Sequence, residues 1–200
     1  MKQLKVVAVN GSPRDEGNTS ILIRRILDEL EHEGIATELV RIGGRRIRGC
    51  TACRRCFESR DRRCVVDDDI VNDCIAKMIE ADGIVLGSPV YFLDVTSEMK
   101  ALIDRAGMVA RANDALFRRK VGTAAVAVRR SGANHTVDTI LHFMLYSGMT
   151  VPGAPVIGLG REIGDVLTDE EGLMRARETG RELAWLLKAC ASADRTEETA

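Results

Sequence analysis

The run GIVLGSPV, residues 83–90, is apolar almost without a break, and a strand of that kind belongs in the interior of a parallel sheet, covered on both faces. A parallel neighbour is reached only through a crossover, and the flanking sequence supplies crossovers on both sides. Upstream, LKVVAVN (4–10) is a short β-branched run ending at a turn, and ILIRRILDEL (21–30) follows it with apolar residues at helical spacing. ATELVRI (36–42) suits a second strand. A helix over 68–81 puts Ile70, Val71, Cys74, Ile75, Met78 and Ile79 on one face, which makes Cys74 a core residue. Beyond 83–90 the pattern predicts a helix over 96–109, a strand over 120–128, a helix over 137–146, a strand over 151–159 and a helix over 169–191. Pro152 and Pro155 place the last strand at an edge of the sheet.

Strand and helix thus alternate five times, which selects a doubly wound α/β architecture with right-handed crossovers. Five units match a five-stranded parallel sheet of flavodoxin-like order 2-1-3-4-5, whose ligands bind beyond the strand C-termini where the order reverses, between strands 1 and 3. The loops at 11–20, 88–95 and 129–135 face that crevice. The 200 residues are read as a single domain over 1–191 with a Cys/Arg-rich insertion at 43–67 and a polar tail at 192–200. A net charge of −1 argues against a dedicated nucleic-acid partner. The first apolar run meets Gly11 and Pro13 too early for a secretory signal, and no stretch approaches the roughly 18–20 apolar residues that span a bilayer. The expectation is a soluble, cytoplasmic protein without a membrane partner.

GSPRDEGNTS (11–20) is neither a nucleoside triphosphate loop nor a dinucleotide fingerprint. Its chemistry nevertheless points to an anion: Ser12, Asn18, Thr19 and Ser20 offer neutral donors, Arg14 a positive fork, and the helix start free amides, a set suited to a phosphomonoester. Asn, Thr and Ser are also ordinary N-caps. At the end of the third strand, Pro89 fixes the backbone while Val90, Tyr91 and Phe92 offer a wall for a flat heteroaromatic ring. Aromatic residues are only 4% of the chain, so two adjacent ones at a predicted crevice favour ring binding over simple cover for the sheet edge.

Four of the six cysteines form one motif, C-x2-C-x2-C-x7-C, at Cys50, Cys53, Cys56 and Cys64, with arginines crowded around them. Pairs so close close little loop entropy as disulfides. Successive C-x2-C turns aim sulfurs at different corners of one compact object, the arrangement that wraps a [4Fe-4S] cubane; zinc also takes four thiolates but favours two separated knuckles, and free or redox-active thiols are the remaining alternative. Arg54 and Arg55, between the cysteines, would stabilise a reduced cluster, while solvation, with Asp61 and Asp67 to Asp69 as counter-charges, is the simpler account of any one arginine.

Taken together, GSPRDEGNTSIL, the cysteine motif followed by VVDDDI, SPVYFLDVTSEMKALIDR and KVGTAAVAVRRSGANHTVDTI resemble the NADPH-dependent FMN reductase and iron-sulfur flavoprotein group. The resemblance implies FMN, with Ser12, Arg14, Asn18, Thr19 and Ser20 around its phosphate and Pro89, Val90, Tyr91, Phe92, Arg130, Ser131 and Gly132 bordering its ring. It implies that Cys50, Cys53, Cys56 and Cys64 ligate a [4Fe-4S] cluster. His135 sits in the third loop, within reach of flavin or substrate; no acid or base is nominated, because flavin chemistry asks the protein chiefly for orientation and electrostatics. The expected activity is an FMN-dependent oxidoreductase passing electrons from NAD(P)H to a small acceptor such as a quinone, a flavin or a metal ion, in a homodimer or homotetramer. The alternatives are an electron carrier fed by a ferredoxin-like protein, and a zinc-binding regulatory module.

Overall fold

The computed structural model describes residues 3–198. Its strands are β1 (Lys5–Asn10), β2 (Ala36–Arg41), β3 (Gly83–Pro89), β4 (Val121–Val128) and β5 (Val156–Leu159); its α-helices are α1 (Asn18–His32), α2 (Arg55–Ser59), α3 (Val71–Glu80), α4 (Ser97–Ala112), α5 (Ala133–Tyr146) and α6 (Glu170–Glu198). The strands form one sheet in the order β2-β1-β3-β4-β5. Every pairing is parallel, with Val6 opposite Gly83 and Gly83 opposite Val121. The chain steps from β1 outward to β2 and then returns across β1 to β3, so the order reverses where the sequence pattern placed it.

Period-two alternation distributes the strand residues between two cores. Val7, Val9, Ile84, Leu86, Ala124 and Val126 face one side, packed on by α3, α4 and α5. Val6, Ala8, Val85, Val121, Ala125 and Ala127 face the other, under α1 and α6. Each fully buried aliphatic side chain contributes on the order of 1.5–3 kcal/mol, so a one-residue slip of register would expose both layers at once. Cys74 is fully buried within the first core.

Glycine decides how close α1 comes to the sheet. A Cβ on Gly87 would lie 2.5 Å from Ile23 Cδ1 and 3.1 Å from Thr19 Cγ2. The bare backbone of β3 therefore lets the first turn of α1 settle over the reversal point. Across the same point Thr96, fully buried, caps α4 by accepting from the Met99 N–H at 3.4 Å and donates its hydroxyl to the Gly11 carbonyl at 3.0 Å.

Four elements differ most from the sequence pattern. β5 begins at Val156; Thr150 makes only an isolated bridge to Val121, and Pro152 and Pro155 lie between. Proline has no N–H for the ladder, which shortens the strand. The cysteine insertion contains the short helix α2, and a 3-10 turn at Asp165–Thr168 precedes α6. The segment 192–200 was expected to lie beyond the last helix, but α6 continues to Glu198; ASADRTEE contains no Gly or Pro to stop it. Residues 199–200 of that expected tail lie outside the described residues.

Because Thr96 serves two elements with one hydroxyl, Thr96→Ala is expected to lower the unfolding free energy by roughly 1–2 kcal/mol in urea titrations, and Thr96→Ser to restore most of it.

Candidate functional site

The crevice above β1 and β3 is built from loop polar groups. Asn10 closes β1 at 1% exposure and uses Oδ1 to accept from the Ser12 N–H at 2.8 Å. Ser12 is buried, and its Oγ accepts from the Arg14 N–H at 3.2 Å, curling the loop toward the helix. Gly17 is the N-cap residue of α1 and no side chain caps this helix, so its first-turn amides face the crevice end without a side-chain partner. Two buried polar atoms at the same end, Asn10 Nδ2 and Thr19 Oγ1, have no hydrogen-bond partner. Burying such a group costs roughly 1–3 kcal/mol, a cost that an incoming oxygen-rich anion relieves. This donor set fits a phosphomonoester, and Asn10 is a member that the sequence pattern did not reveal.

Other predicted phosphate ligands have additional duties. Asn18 donates to the Glu162 carbonyl at 2.9 Å and accepts from the Gly164 and Val166 amides at 3.0 and 3.3 Å. Arg14 donates to the Arg161 carbonyl at 2.9 Å. Together they pin the β5–α6 loop over the first loop, a contact with no local signature in the sequence. From the other side, a Cβ on Gly43 would lie 2.1 Å from the Ser12 carbonyl carbon and 2.5 Å from the Gly11 carbonyl oxygen, so the chain leaving β2 rests directly on the Gly11 and Ser12 carbonyls. Ser20 is buried beside Thr19 in the first turn of α1.

The second wall is a two-residue hairpin. Tyr91 and Asp94 exchange backbone hydrogen bonds at 2.8 and 3.1 Å, and Phe92 and Leu93 between them take φ values of 46° and 71°. Both are left-handed, the signature of a type I′ turn, which ordinarily asks for Asn or Gly. Bulky residues there store backbone strain on the order of 1 kcal/mol or more each. Pro89 and Val90 are half-buried at its base, and Phe92 is fully exposed. The third loop packs on this turn: Gly132, at φ 94°, has no room for a Cβ, which would lie 2.7 Å from Leu93 Cα. Arg130 and Ser131 are exposed on its outer rim. Asp94 steadies both loops by accepting from Thr139 Oγ1 at 2.7 Å, with His135 Nε2 3.6 Å from its other oxygen. All twelve predicted cofactor residues thus fall on three adjacent loops, or on the end of β3 and the first turn of α1 that flank them, at one end of the sheet.

The four cysteines gather separately, against α4. Cys50, Cys53, Cys56 and Cys64 line one small cavity together with Arg54, Val65, Arg105, Met108 and Val109. Ala52 and Arg54, between the first three, are left-handed at φ 54° and 59°, which turns backbone N–H groups toward sulfur: the Ala52 amide lies 3.4 Å from Cys50 Sγ. Hydrogen bonds from the Arg55 backbone and the Thr51 hydroxyl hold the Cys53 thiol below its usual range, whereas burial raises that of Cys56. Burial pushes Cys74 up to about 12. Among the described residues no three His, Cys, Asp or Glu side chains converge on a single ion's coordination sphere. Four thiols lining one cavity are the donor type that a [4Fe-4S] cubane takes, each thiolate binding a different iron.

Arg54 and Arg55 are exposed, as the solvation reading expects. Arg54 stacks over Phe57 at 5.5 Å and Arg55 pairs with Glu58; the guanidinium that touches a thiol belongs to Arg105, on α4. Beside the cluster, a groove of about 990 Å³ runs between α4 and α5, lined by Ile103, Met108, His142, Phe143 and Tyr146 with Cys50 at its rim. Thr139, which bonds Asp94, also lines it; we take the three-loop crevice as the cofactor site because the buried unpartnered atoms Asn10 Nδ2 and Thr19 Oγ1 are there. No helix among the described residues is long and apolar enough to cross a membrane.

With the protein free of metal at pH 8, iodoacetamide followed by peptide mass spectrometry is expected to label Cys53 ahead of Cys56 and to leave Cys74 intact until denaturant is added, since a thiol titrating near 12 is roughly one part in ten thousand thiolate at that pH.

The comparisons with known proteins agree with this geometry. The NADPH-dependent FMN reductase family matches residues 4–162. An iron-sulfur flavoprotein of Methanocaldococcus jannaschii is 37% identical over 193 residues, covering 92% of this chain and 98% of its own. Among solved structures, an NAD(P)H:quinone oxidoreductase from Methanothermobacter marburgensis superposes with a TM-score of 0.69 at 17% identity, covering 91% of this chain and 100% of its own. An archaeal flavodoxin does so at 0.60 and 17%, covering 92% and 99%. The crevice, the order of the sheet and these matches place the chain in the NADPH-dependent FMN reductase family, among its iron-sulfur flavoproteins, and it has a flavodoxin-like fold.

Proposed function

We propose that this protein is an FMN-dependent oxidoreductase with a [4Fe-4S] cluster as second redox centre, moving electrons from NAD(P)H to a small acceptor such as a quinone, a flavin or a metal ion. The observation that carries it is the pairing, in one chain, of an uncapped helix start with orphaned buried donors and a four-thiol cavity lined by αL turns. FMN, when bound, supplies a ring that accepts a hydride or single electrons. The chain holds its phosphate through Ser12, Thr19, Ser20 and the first-turn amides of α1, with Arg14 adding positive charge from the rim. Pro89 to Phe92 and Arg130 to Gly132 border the ring and limit its access to water. Cys50, Cys53, Cys56 and Cys64 hold the cluster, and their N–H···S bonds favour thiolates over thiols. The names of the iron-sulfur flavoprotein and quinone oxidoreductase relatives support this reading.

A second reading is favoured by the exposure of Cys50, Cys53 and their neighbouring arginines: electrons enter from an acidic, ferredoxin-like protein at that face. Anaerobic stopped-flow mixing separates the two. Bleaching of the flavin by NADPH within the turnover time supports the first, and reduction only by reduced ferredoxin supports the second.

The spectrum of anaerobically purified protein, with iron, sulfide and zinc counted per chain, is expected to show flavin bands, a broad cluster shoulder, and near four irons and four sulfides per chain. Zinc in their place overturns the cluster. For the phosphate site, Thr19→Val removes a buried hydroxyl that bonds no other protein group. It is expected to leave apoprotein stability unchanged or raised, yet to weaken FMN binding about tenfold in fluorescence titration. Unaltered affinity would remove Thr19 from the phosphate site.

A further inference from the structure

The loop that carries the cysteines is fastened at its neck by one side chain from another element. Arg105 lies within α4 at 1% exposure. Its Nε donates to Cys64 Sγ at 3.3 Å, its Nη1 to the Arg48 carbonyl at 3.2 Å and to Asp69 Oδ2 at 2.5 Å, and its Nη2 to the Val66 carbonyl. Arg48 precedes Cys50 and Val66 follows Cys64, so one guanidinium bonds both sides of the neck. Burial pushes the Asp69 carboxyl upward, and the bonds from Arg105 and from the Val71 and Arg48 amides outweigh it, leaving it below the usual carboxylate range. The result is a fixed, dry ion pair with its positive end against a sulfur. Carbonyl acceptors alone do not call for a cation there, and burying one is costly unless its charge is used.

We propose that Arg105 is a positioning residue that holds Cys64 as the fourth ligand and sets the reduction potential of the cluster through its Nε–H···Sγ bond. The assignment rests on the [4Fe-4S] reading above. Four thiolates give the cluster a net negative charge, and one-electron reduction makes it more negative. A positive charge bonded to a ligating sulfur stabilises that state and raises the potential, and because the Arg105 side chain is itself buried its effect is screened weakly. Asp69 acts in the opposite sense by offsetting part of the arginine's charge. Arg54 and Arg55, exposed to solvent, act on the same sulfurs through screening water and ions.

The experiment is a dithionite titration of the anaerobically purified protein, following the electron paramagnetic resonance of the reduced cluster so that the flavin is read separately. Iron and sulfide are counted in each variant. Arg105→Gln is expected to shift the one-electron equilibrium at least tenfold toward the oxidised form, about 59 mV lower. Arg105→Lys, which keeps charge but cannot reach all four partners, is expected to recover part of that shift. Asp69→Asn is expected to move the potential the other way. Opposite signs for the arginine and aspartate variants are not the outcome of mere loosening. Potentials unchanged in the variants that keep four irons overturn the proposal while leaving the cluster reading intact, as does a shift of the same sign in both. Loss of the cluster from all three variants with the fold preserved also overturns the electrostatic role, leaving Arg105 as a mechanical clasp. Wild-type protein without iron and sulfide overturns the cluster reading and the proposal together.

Discussion

The pairing of β1 with β3 at the centre of the sheet is the constraint on which the rest depends. The chain reaches β2 on one side and comes back to β3 on the other, so the loops leaving β1 and β3 diverge to opposite faces and leave a gap over their C-terminal ends. The gap is held open and narrow by two small features: the missing side chain of Gly87, which admits the first turn of α1, and the hydroxyl of Thr96, which ties α4 to the Gly11 carbonyl. With all pairings parallel, both faces of the sheet are roofed by helices. At that end the diverging loops and the first turn of α1 present backbone donors to a ligand.

The two functional regions handle buried polarity in opposite ways. At the phosphate loop, Asn10 Nδ2 and Thr19 Oγ1 are left without partners, so the ligand-free site is higher in energy than a fully satisfied one, and binding recovers the difference. At the cysteine loop the buried charge is satisfied in advance, because Arg105 meets Asp69, two carbonyls and a sulfur at once. The first arrangement adds to the free energy gained when a ligand satisfies those atoms. The second favours a rigid cage whose electrostatics are fixed before anything is bound.

Six of the nine described non-glycine residues with positive φ lie at the ring wall and around the cysteines, the other three, Asp114, Ala115 and Arg119, between α4 and β4. Phe92 and Leu93 at the ring wall, and Ala52, Arg54, Arg60 and Arg62 around the cysteines, all have positive φ without being glycine. Such residues persist only where their surroundings over-determine them. The hairpin at 91–94 is held by Gly132 and Thr136, and the cysteine loop by Arg105, Asn72 and α4. Asn72 alone bonds the Cys64 amide and carbonyl and the Val66 carbonyl.

The sequence by itself determined the architecture, because the periods of two and 3.6 that sort residues between layers are local and were written five times over. It determined the loops that face the crevice and the thiols that gather, since strand ends and C-x2-C turns are also local. Arginine roles were not legible: Arg54 and Arg55 stand nearest the cysteines in sequence, yet the one in contact with sulfur is 41 residues from Cys64. Nor was the lid formed by residues 160–166, held by Asn18 across a separation of 144 to 148 residues. The extent of α6 was missed for a different reason, as a polar run without Gly or Pro is compatible with helix or coil. Only the tertiary structure decided those contacts, because a guanidinium fork or an amide finds its partners by packing of distant elements, and no spacing along the chain encodes which acceptors will be left within reach.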